Sequence, residues 1–588
     1  MRRLTRSSVV IISCLFILLI ASVFDRELEL AERYIVLDKY QEAKQILERL
    51  YIDAPSNARV LSGLHKVYFA LKEYDNLKEI INVELTHNPR SIELNIELGK
   101  LNLALGNPDQ AKQAFMKAVN LAPKNRGIIE KCADAYINWG YVDRGIKFLK
   151  EVAEDMKEEG DLSFKLAELY VIKGEAKLAL TEYLKYLRVN PKSEEMILAK
   201  LKEFGKNDTD LVYLEEAVEE ELKRSENKAF LYNLLYQTKV SRGNLEGAFD
   251  ILKKVEKLDG TKGARIWQFG YSLMDRKEYS LLEQVADYLK SEYEGEEAGL
   301  MGTFFTAICL REKGQVDKAI QIFEELASFI EKVEKPGFNR ELGWRALYQL
   351  ARTYFFEKQD PEKTVSLLSV LTTGVDIRSG VFKDAVLLLV DAHIRLSNME
   401  MAYKILDALK KAQPNDDLVL YRLGELLVLQ GKTEQAKKLF QNLSARFPRS
   451  LYLNDALHYV MVLEDKKQAQ LIAEARYTNR LGLKQESLAY LEKLTDGPNS
   501  DWAKYQQGVI YRELHQNDKA LKTLRNMIDN HQESFYIPFA LEIMGDIYRE
   551  SGETASARQK YMQVITDYPD YINMSRLKKK LKQIEANL

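Results

Sequence analysis

Regular spacing of prolines is the feature that most constrains the fold of this 588-residue chain. Pro55, Pro89 and Pro123 follow one another at intervals of 34 residues, and the same interval separates Pro414 from Pro448. Proline lacks a backbone N–H donor and is tolerated where one helix has ended and the next has not begun. Equal spacing of such breaks predicts a series of equal helix pairs.

Other residues recur at fixed places within each period. Small residues at some of these places let two antiparallel helices approach closely, and large residues fill the gap to the next pair. In residues 92–125 the recurring set is Leu98, Gly99, Ala111, Phe115, Ala118 and Pro123. In residues 417–450 the corresponding set is Leu423, Gly424, Ala436, Phe440, Leu443 and Pro448. Agreement at several offsets predicts hairpins of a single kind.

This pattern resembles the tetratricopeptide repeat, a 34-residue helix–turn–helix unit. The resemblance covers nearly everything after residue 24 and implies an all-α fold, a right-handed α-solenoid of stacked helix hairpins. The units are centred on Ala43, Leu77, Ala111, Gly145, Ala179, Ala248, Leu282, Ala319, Thr364, Ala402, Ala436, Ala520 and Ala557. Four of these centres depart from the alanine of the family.

Interruptions of the period divide the predicted array into blocks. The segment 194–228 reads as helical without the marker residues, and 451–500 reads as three helices instead of two. The predicted blocks are repeats at 25–193, a degenerate helical hairpin at 194–228, repeats at 229–335 and 336–450, irregular helices at 451–500, repeats at 501–571 and a C-terminal capping helix at 572–588. A capping helix shields the last apolar face of such an array.

The first 24 residues differ from the rest. Three arginines in MRRLTR precede a near-continuous apolar run from Val9 to Phe24. A helix of this length spans about 24 Å, less than the roughly 30 Å of a bilayer core, which suits a short anchor or a signal-peptide core. We expect an N-terminal hydrophobic helix at 1–24 that anchors the chain in a bacterial inner membrane, with the repeats in the periplasm. Cleavage of this segment would instead release the chain into the periplasm.

Composition argues against nucleic acid as a partner. The 86 lysines and arginines are balanced by 88 aspartates and glutamates, and a nucleic-acid binder normally carries a basic excess. The basic run from Arg576 to Lys580 is interpreted as a solvated helix face. Cys132 and Cys309 lie far apart inside helical patterns, which indicates neither disulfides nor structural zinc.

No motif in the sequence predicts chemistry or a cofactor. The triplet Gly431-Lys432-Thr433 resembles the end of a phosphate-binding loop, but Leu426 stands where that loop needs a glycine. Gly431 is instead interpreted as the turn between two helices of one unit. None of the six histidines lies within four residues of another, and His393 is interpreted as a core residue. We therefore expect no enzyme, metal or nucleotide.

The resemblance implies a partner-binding surface. In the family, the fifth, ninth and twelfth positions of the first helix face a bound peptide or protein. The predicted groove residues at such positions are Trp267, Tyr271, Phe304, Tyr348, Phe355, Tyr421 and Tyr505. Exposed aromatics would make good binding anchors, whereas the same spacing also fits aromatics buried in the core.

These features predict a non-enzymatic scaffold for protein–protein interactions at the cell envelope. The repeats over residues 501–571 are similar in style to those of periplasmic proteins that assist envelope assembly or polysaccharide export. Two alternatives remain open at this stage: a solenoid that binds glycan or peptidoglycan, and a non-catalytic accessory subunit of an enzyme complex.

Overall fold

The computed structural model describes residues 23–156, 160, 162–204, 208–226, 228–332 and 338–585. Over these residues the chain is all-α and contains no strand. The predicted hydrophobic helix at 1–24 falls almost entirely outside them. Within the described ranges no helix is long and apolar enough to cross a membrane.

The chain divides into two compact units, Met1–Phe269 and Gly270–Leu588. In unit 1, α1 covers residues 23–36 and is followed by α2 (Tyr40–Asp53), α3 (Ala58–Ala70), α4 (Tyr74–His87), α5 (Ile92–Ala104), α6 (Pro108–Leu121), α7 (Arg126–Asn138), α8 (Val142–Met156), α9 (Ser163–Lys173), α10 (Ala176–Val189), α11 (Glu194–Phe204), α12 (Asp208–Glu221), α13 (Lys228–Ser241) and α14 (Leu245–Asp259). The next helix, α15 (Ala264–Arg276), contains the division between the units.

Unit 2 continues the series of helices. They are α16 (Tyr279–Glu292), α17 (Glu297–Glu312), α18 (Val316–Ala327), α19 (Phe329–Lys332), α20 (Phe338–Phe356), α21 (Pro361–Gly374), α22 (Gly380–Arg395), α23 (Met399–Ala412), α24 (Asp417–Leu429), α25 (Thr433–Arg446), α26 (Leu453–Val462), α27 (Lys466–Arg480), α28 (Lys484–Glu492), α29 (Ser500–Glu513), α30 (Asn517–Asn530), α31 (Ile537–Glu550), α32 (Thr554–Asp567) and α33 (Met574–Glu585). Residues 451–500 thus hold three helices, α26, α27 and α28, which is also the number read from the sequence.

Aromatic residues at the repeat position of Phe115 pack one hairpin against the next. Phe115, in the second helix of one hairpin, contacts Tyr136 and Phe148 of the next, with ring centroids 5.3 Å and 6.1 Å away. All three side chains are essentially inaccessible to solvent. Edge-to-face packing of this kind adds to the stabilisation that burial provides. The gap-filling role expected for Phe115 is therefore confirmed.

Glycine is required for different reasons at two repeated places. A Cβ atom at Gly99 would lie 2.2 Å from the ring of Phe115, so only glycine permits this approach of α5 to α6. Gly431 lies in the turn between α24 and α25 with a φ of +72°, a left-handed conformation that favours glycine. The interpretation of Gly431 as a helix turn is confirmed.

Candidate partner-binding grooves

Three of the seven predicted groove aromatics lie in the core of unit 2. Phe304, Phe355 and Tyr421 are only 1%, 8% and 5% exposed. Each packs against other rings, as Phe304 does against Phe323 at 6.0 Å. Their side chains are therefore used in packing, which is the alternative that the spacing left open.

The other four predicted aromatics, Trp267, Tyr271, Tyr348 and Tyr505, are half-buried. The ring of Tyr271 lies between Phe305, 5.3 Å away, and the guanidinium of Arg345, 5.4 Å from its centroid. Burial raises the pKa of Tyr348 to about 12. These rings are thus accessible over only part of their surface.

A repeated turn places a second tyrosine ring over Tyr421 and over Tyr505. Tyr452 stacks on Tyr421 at 5.0 Å and 20°, and Tyr536 stacks on Tyr505 at 5.2 Å and 17°. In both turns a serine hydroxyl two residues earlier accepts a hydrogen bond from the backbone N–H of the stacking tyrosine, over 3.0 Å and 3.1 Å. The sequence signal is Ser-Leu-Tyr at 450–452 and Ser-Phe-Tyr at 534–536, which the search for exposed aromatics overlooked.

Helix α27 packs against α22 and α24 in unit 2. Its Tyr477 hydroxyl donates a hydrogen bond of 3.2 Å to the backbone carbonyl of Asp391 on α22. Its Arg480 pairs with Glu425 on α24 and lies 3.6 Å from the Asp391 carboxylate. Arg422 also pairs with Asp391, with 2.5 Å between Nη2 and Oδ1. A chain segment of the protein itself thus occupies this part of the predicted groove.

The contacts of α27 place charge in a buried environment. Glu425 is 2% exposed and Asp391 is 6% exposed, so each needs a partner of opposite charge. Burial opposes the charged form of Arg480, but Glu425 and Asp391 outweigh it and raise the pKa of the guanidinium. The ion pairs keep α27 against α22 and α24.

Unit 1 carries an open groove along α3. It has a volume of about 860 Å³ and runs between the end of α1 and the beginning of α5. Its lining residues are Ile35, Tyr40, Ser56, Ala58, Leu61, Ser62, His65, Lys66, Phe69, Ala70, Glu84, Glu93, Leu94, Glu97 and Lys100. The pattern of aromatic residues in the sequence does not predict this groove, because most of its lining side chains are polar or aliphatic.

A polar pair of side chains lies in the wall of the groove, at repeat positions that less polar residues occupy in the next hairpin. His65 and Glu84 occupy the repeat positions held by Gly99 and Ala118 in the next unit. The Nε2 atom of His65 lies 2.6 Å from Oε1 of Glu84, and the two side chains are 14% and 20% exposed. The pair joins α3 to α4 through a hydrogen bond and gives the wall of the groove a charged, hydrogen-bonding surface.

The groove combines an apolar floor with charges of both signs. Leu61, Leu94 and Phe69 supply apolar surface. Lys100 is already paired with Glu97, at 2.9 Å. Lys66 and Glu93, by contrast, are exposed and have no ion-pair or hydrogen-bond partner within the described ranges. These two charges are available to a ligand.

Metal-binding clusters and reactive thiols were the features of reaction chemistry that the described residues allow to be compared with the sequence. No group of three or more His, Cys, Asp or Glu residues there could hold a metal ion. Burial raises the pKa of the Cys132 thiol to about 12 and that of Cys309 to about 11, so both thiols are protonated at neutral pH and poor nucleophiles. His393 is half-buried, and burial lowers its pKa.

Comparison with solved structures gives three likenesses at low identity. A structure of Naa15/Naa10 bound to HypK-THB is 13% identical, over 95% of this chain and 96% of that chain, with a TM-score of 0.30. The APC/C hetero-tetramer Cut9-Hcn1 is 16% identical, over 94% and 95%, with a TM-score of 0.27. A tetratricopeptide repeat protein from Parabacteroides merdae is 14% identical, over 49% and 98%, with a TM-score of 0.24. TM-scores this low do not establish a shared fold.

Sequence comparison identifies the repeats themselves. No curated protein matches the chain. One tetratricopeptide repeat family model matches residues 418–450, 502–534 and 539–571, and a second matches residues 92–125. The matched segments coincide with the hairpins α5–α6, α24–α25, α29–α30 and α31–α32. The chain therefore contains tetratricopeptide repeats at these four places, as the resemblance implied.

Proposed function

We propose that this chain is a non-enzymatic scaffold that binds a protein partner in the groove along α3. The N-terminal apolar segment would hold it at a bacterial inner membrane with the repeats in the periplasm, where it assists envelope assembly or polysaccharide export. The observation that carries the proposal is the open groove of unit 1 with two unpaired charges, Lys66 and Glu93.

The chemistry of the groove suits a peptide or protein surface. An apolar floor flanked by a free ammonium and a free carboxylate can bury an apolar side chain and pair with charges of both signs. Glycan binding, the first alternative, relies on accessible ring faces, and Tyr452 and Tyr536 cover those of Tyr421 and Tyr505. An accessory subunit of an enzyme complex would use the same groove and is included in the proposal.

Site-specific crosslinking tests the proposal. A photoreactive amino acid replaces Ser62, an exposed groove residue, in the full chain within native envelopes. We expect a discrete protein adduct after irradiation. The double variant Lys66→Glu/Glu93→Lys should reduce its yield about tenfold, because two lost charge contacts at roughly 0.7 kcal/mol each total about 1.4 kcal/mol.

The chain offers a matched control for these substitutions. Lys117 and Glu79 are exposed on α6 and α4, unpaired within the described ranges and outside the groove lining. The double variant Lys117→Glu/Glu79→Lys makes the same charge changes and should leave the adduct intact. Equal yields from both double variants, or no adduct at Ser62, would refute the groove as the partner site.

A further inference from the structure

The outer face of α1 carries a stripe of apolar and basic side chains. The outer stripe consists of Val23, Arg26, Leu30, Arg33 and Leu37, spaced by three or four residues and so aligned on one side of a helix. The helical pattern extends to Leu37, whose N–H donates to the carbonyl of Arg33 over 3.1 Å. Val23, Leu30 and Leu37 are 50%, 42% and 63% exposed.

The outer stripe lies opposite the face of α1 that joins the core. Leu28 and Ala31, on the inner face, are 1% and 0% exposed. The first helix of a repeat array ordinarily presents a polar outer side, because no further repeat covers it. Three exposed aliphatic side chains on that side therefore call for a covering surface.

Charge on α1 is sorted between the two sides of the helix. Glu32 hydrogen-bonds to Arg59 and, together with Asp25 and Glu29, raises the pKa of that guanidinium. Glu27 pairs with Arg49 over 2.9 Å. Glu27 and Glu32 of α1 thus pair with arginines of the neighbouring helices α2 and α3.

The two arginines of the outer stripe are left without partners. Arg26 and Arg33 are exposed, and neither has an ion pair or hydrogen bond from its side chain within the described ranges. The outer stripe is consequently apolar and positively charged.

Two observations decide what could cover the outer stripe. A second copy of α1 would bring Arg26 and Arg33 against the same arginines, and like charges in an apolar interface are unfavourable. The apolar run that begins at Val9 ends at Phe24, so the outer stripe begins before this run has ended. An anionic lipid surface satisfies the arginines and takes up the aliphatic side chains together.

We propose that the outer stripe of α1 lies on an anionic lipid surface, with Val23, Leu30 and Leu37 at the level of the acyl boundary and Arg26 and Arg33 among the headgroups. This inference rests on the proposed membrane anchoring of the N-terminal segment. It adds a specific contact that would hold the beginning of the repeat array against the membrane.

Quenching of a fluorophore by spin-labelled lipid tests the contact. Leu30→Cys is introduced in a full chain that also carries Cys14→Ser, since Cys132 and Cys309 are buried and unreactive. The labelled chain is reconstituted in bilayers of phosphatidylcholine with or without phosphatidylglycerol. We expect the label at residue 30 to be quenched about twice as strongly as one at Ile52→Cys, an exposed site on α2, when the bilayer is anionic.

Charge reversal separates this contact from anchoring alone. Arg26→Glu/Arg33→Glu should reduce quenching at residue 30 to the level seen at residue 52, while the chain still floats with the vesicles. Equal quenching at the two sites in a chain that floats overturns the lipid contact and leaves anchoring intact. A full chain that fails to float removes the anchoring on which the inference depends.

Discussion

At the scale of single residues, Gly99 and Gly431 are required in two hairpins of the same kind for different reasons. Gly99 is needed because the ring of Phe115 occupies the space that a Cβ atom would fill. Gly431 has open space around it, since nothing lies within 4 Å of a Cβ built there, and is needed for its positive φ. Packing therefore requires glycine at position 99, and backbone conformation requires it at position 431.

Replacing each glycine with alanine separates the free-energy cost of overpacking from the cost of a left-handed backbone. We expect Gly99→Ala to lower the free energy of unfolding by about 2 kcal/mol, because the added methyl overpacks α5 against α6. Gly431→Ala should cost about 1 kcal/mol, from the left-handed backbone alone. Denaturant unfolding of both variants measures the difference. Adding Phe115→Leu should recover part of the loss at Gly99, and no recovery would contradict the packing explanation.

Residue positions within one repeat were also what the sequence could predict best. Gly99, Phe115 and the turn glycine Gly431 all follow from interactions inside a hairpin or with its neighbour, and a 34-residue period displays such interactions directly. The same reasoning missed the covering of Tyr421 by Tyr452, because the stacking depends on the turn between two hairpins. The His65–Glu84 pair departs from the repeat pattern, and a search by pattern passes over such departures.

At the scale of elements, α27 shows where prediction from local sequence stops. Its Tyr477 reaches the backbone of Asp391, 86 residues earlier in the chain. The sequence predicts a helix at α27. It does not predict that α27 packs against α22, because no repeat period relates these two helices. The burial of Phe304 and Tyr421 has a different origin, because rings of the following helix or turn, Phe323 and Tyr452, pack against them.

The ion pairs of α27 predict how firmly it is held. Arg480→Met leaves Glu425 buried without its partner, which should cost about 3 kcal/mol and speed amide exchange over residues 466–480. Arg378→Met is the matched control, because its pair with Asp376 is exposed and screened by solvent, so its loss should not change the exchange of α27. Hydrogen exchange with mass spectrometry measures the amide exchange rates of residues 466–480 in both variants. Unchanged exchange in α27 after Arg480→Met would show that its apolar contacts suffice.

At the scale of the whole molecule, a repeat array is stabilised mainly by contacts between neighbouring units. Its ends are therefore the places where stability depends on special residues. In unit 2 the last hairpin is covered by α33, whose Leu577, Leu581 and Ile584 are buried. The opposite side of α33 is polar and exposed.

The cap is held by charge as well as by apolar contact. Glu542 and Asp546 on α31 are 3% and 7% exposed, and Lys580 on α33 lies 2.8 Å and 2.6 Å from their carboxylate oxygens. Burial raises the pKa of both carboxyls, but hydrogen bonds and nearby cations, Lys580 foremost, outweigh it and the net shift is downward. Groups with a lowered pKa stabilise the fold above their unfolded values, and that contribution is lost as pH falls through the folded values.

Replacing Lys580 should therefore loosen one end of the array in a pH-dependent way. We expect Lys580→Met to cost about 2 kcal/mol at pH 7, because Arg576 and Arg512 still pair with the two carboxylates. It should speed amide exchange in α31 and α32, with little effect on α2–α8 because nearest-neighbour coupling decays along an array. The difference from the unmodified chain should shrink as pH falls from 4.5, the unfolded pKa of Glu542, through the lower folded value, below which the carboxyls are protonated in both proteins. Lys579→Met, on the exposed side of α33, controls for the loss of one charge. A cost that stayed constant from pH 7 to pH 3 would mean that Lys580 stabilises the cap through its aliphatic stem and not through the buried carboxylates.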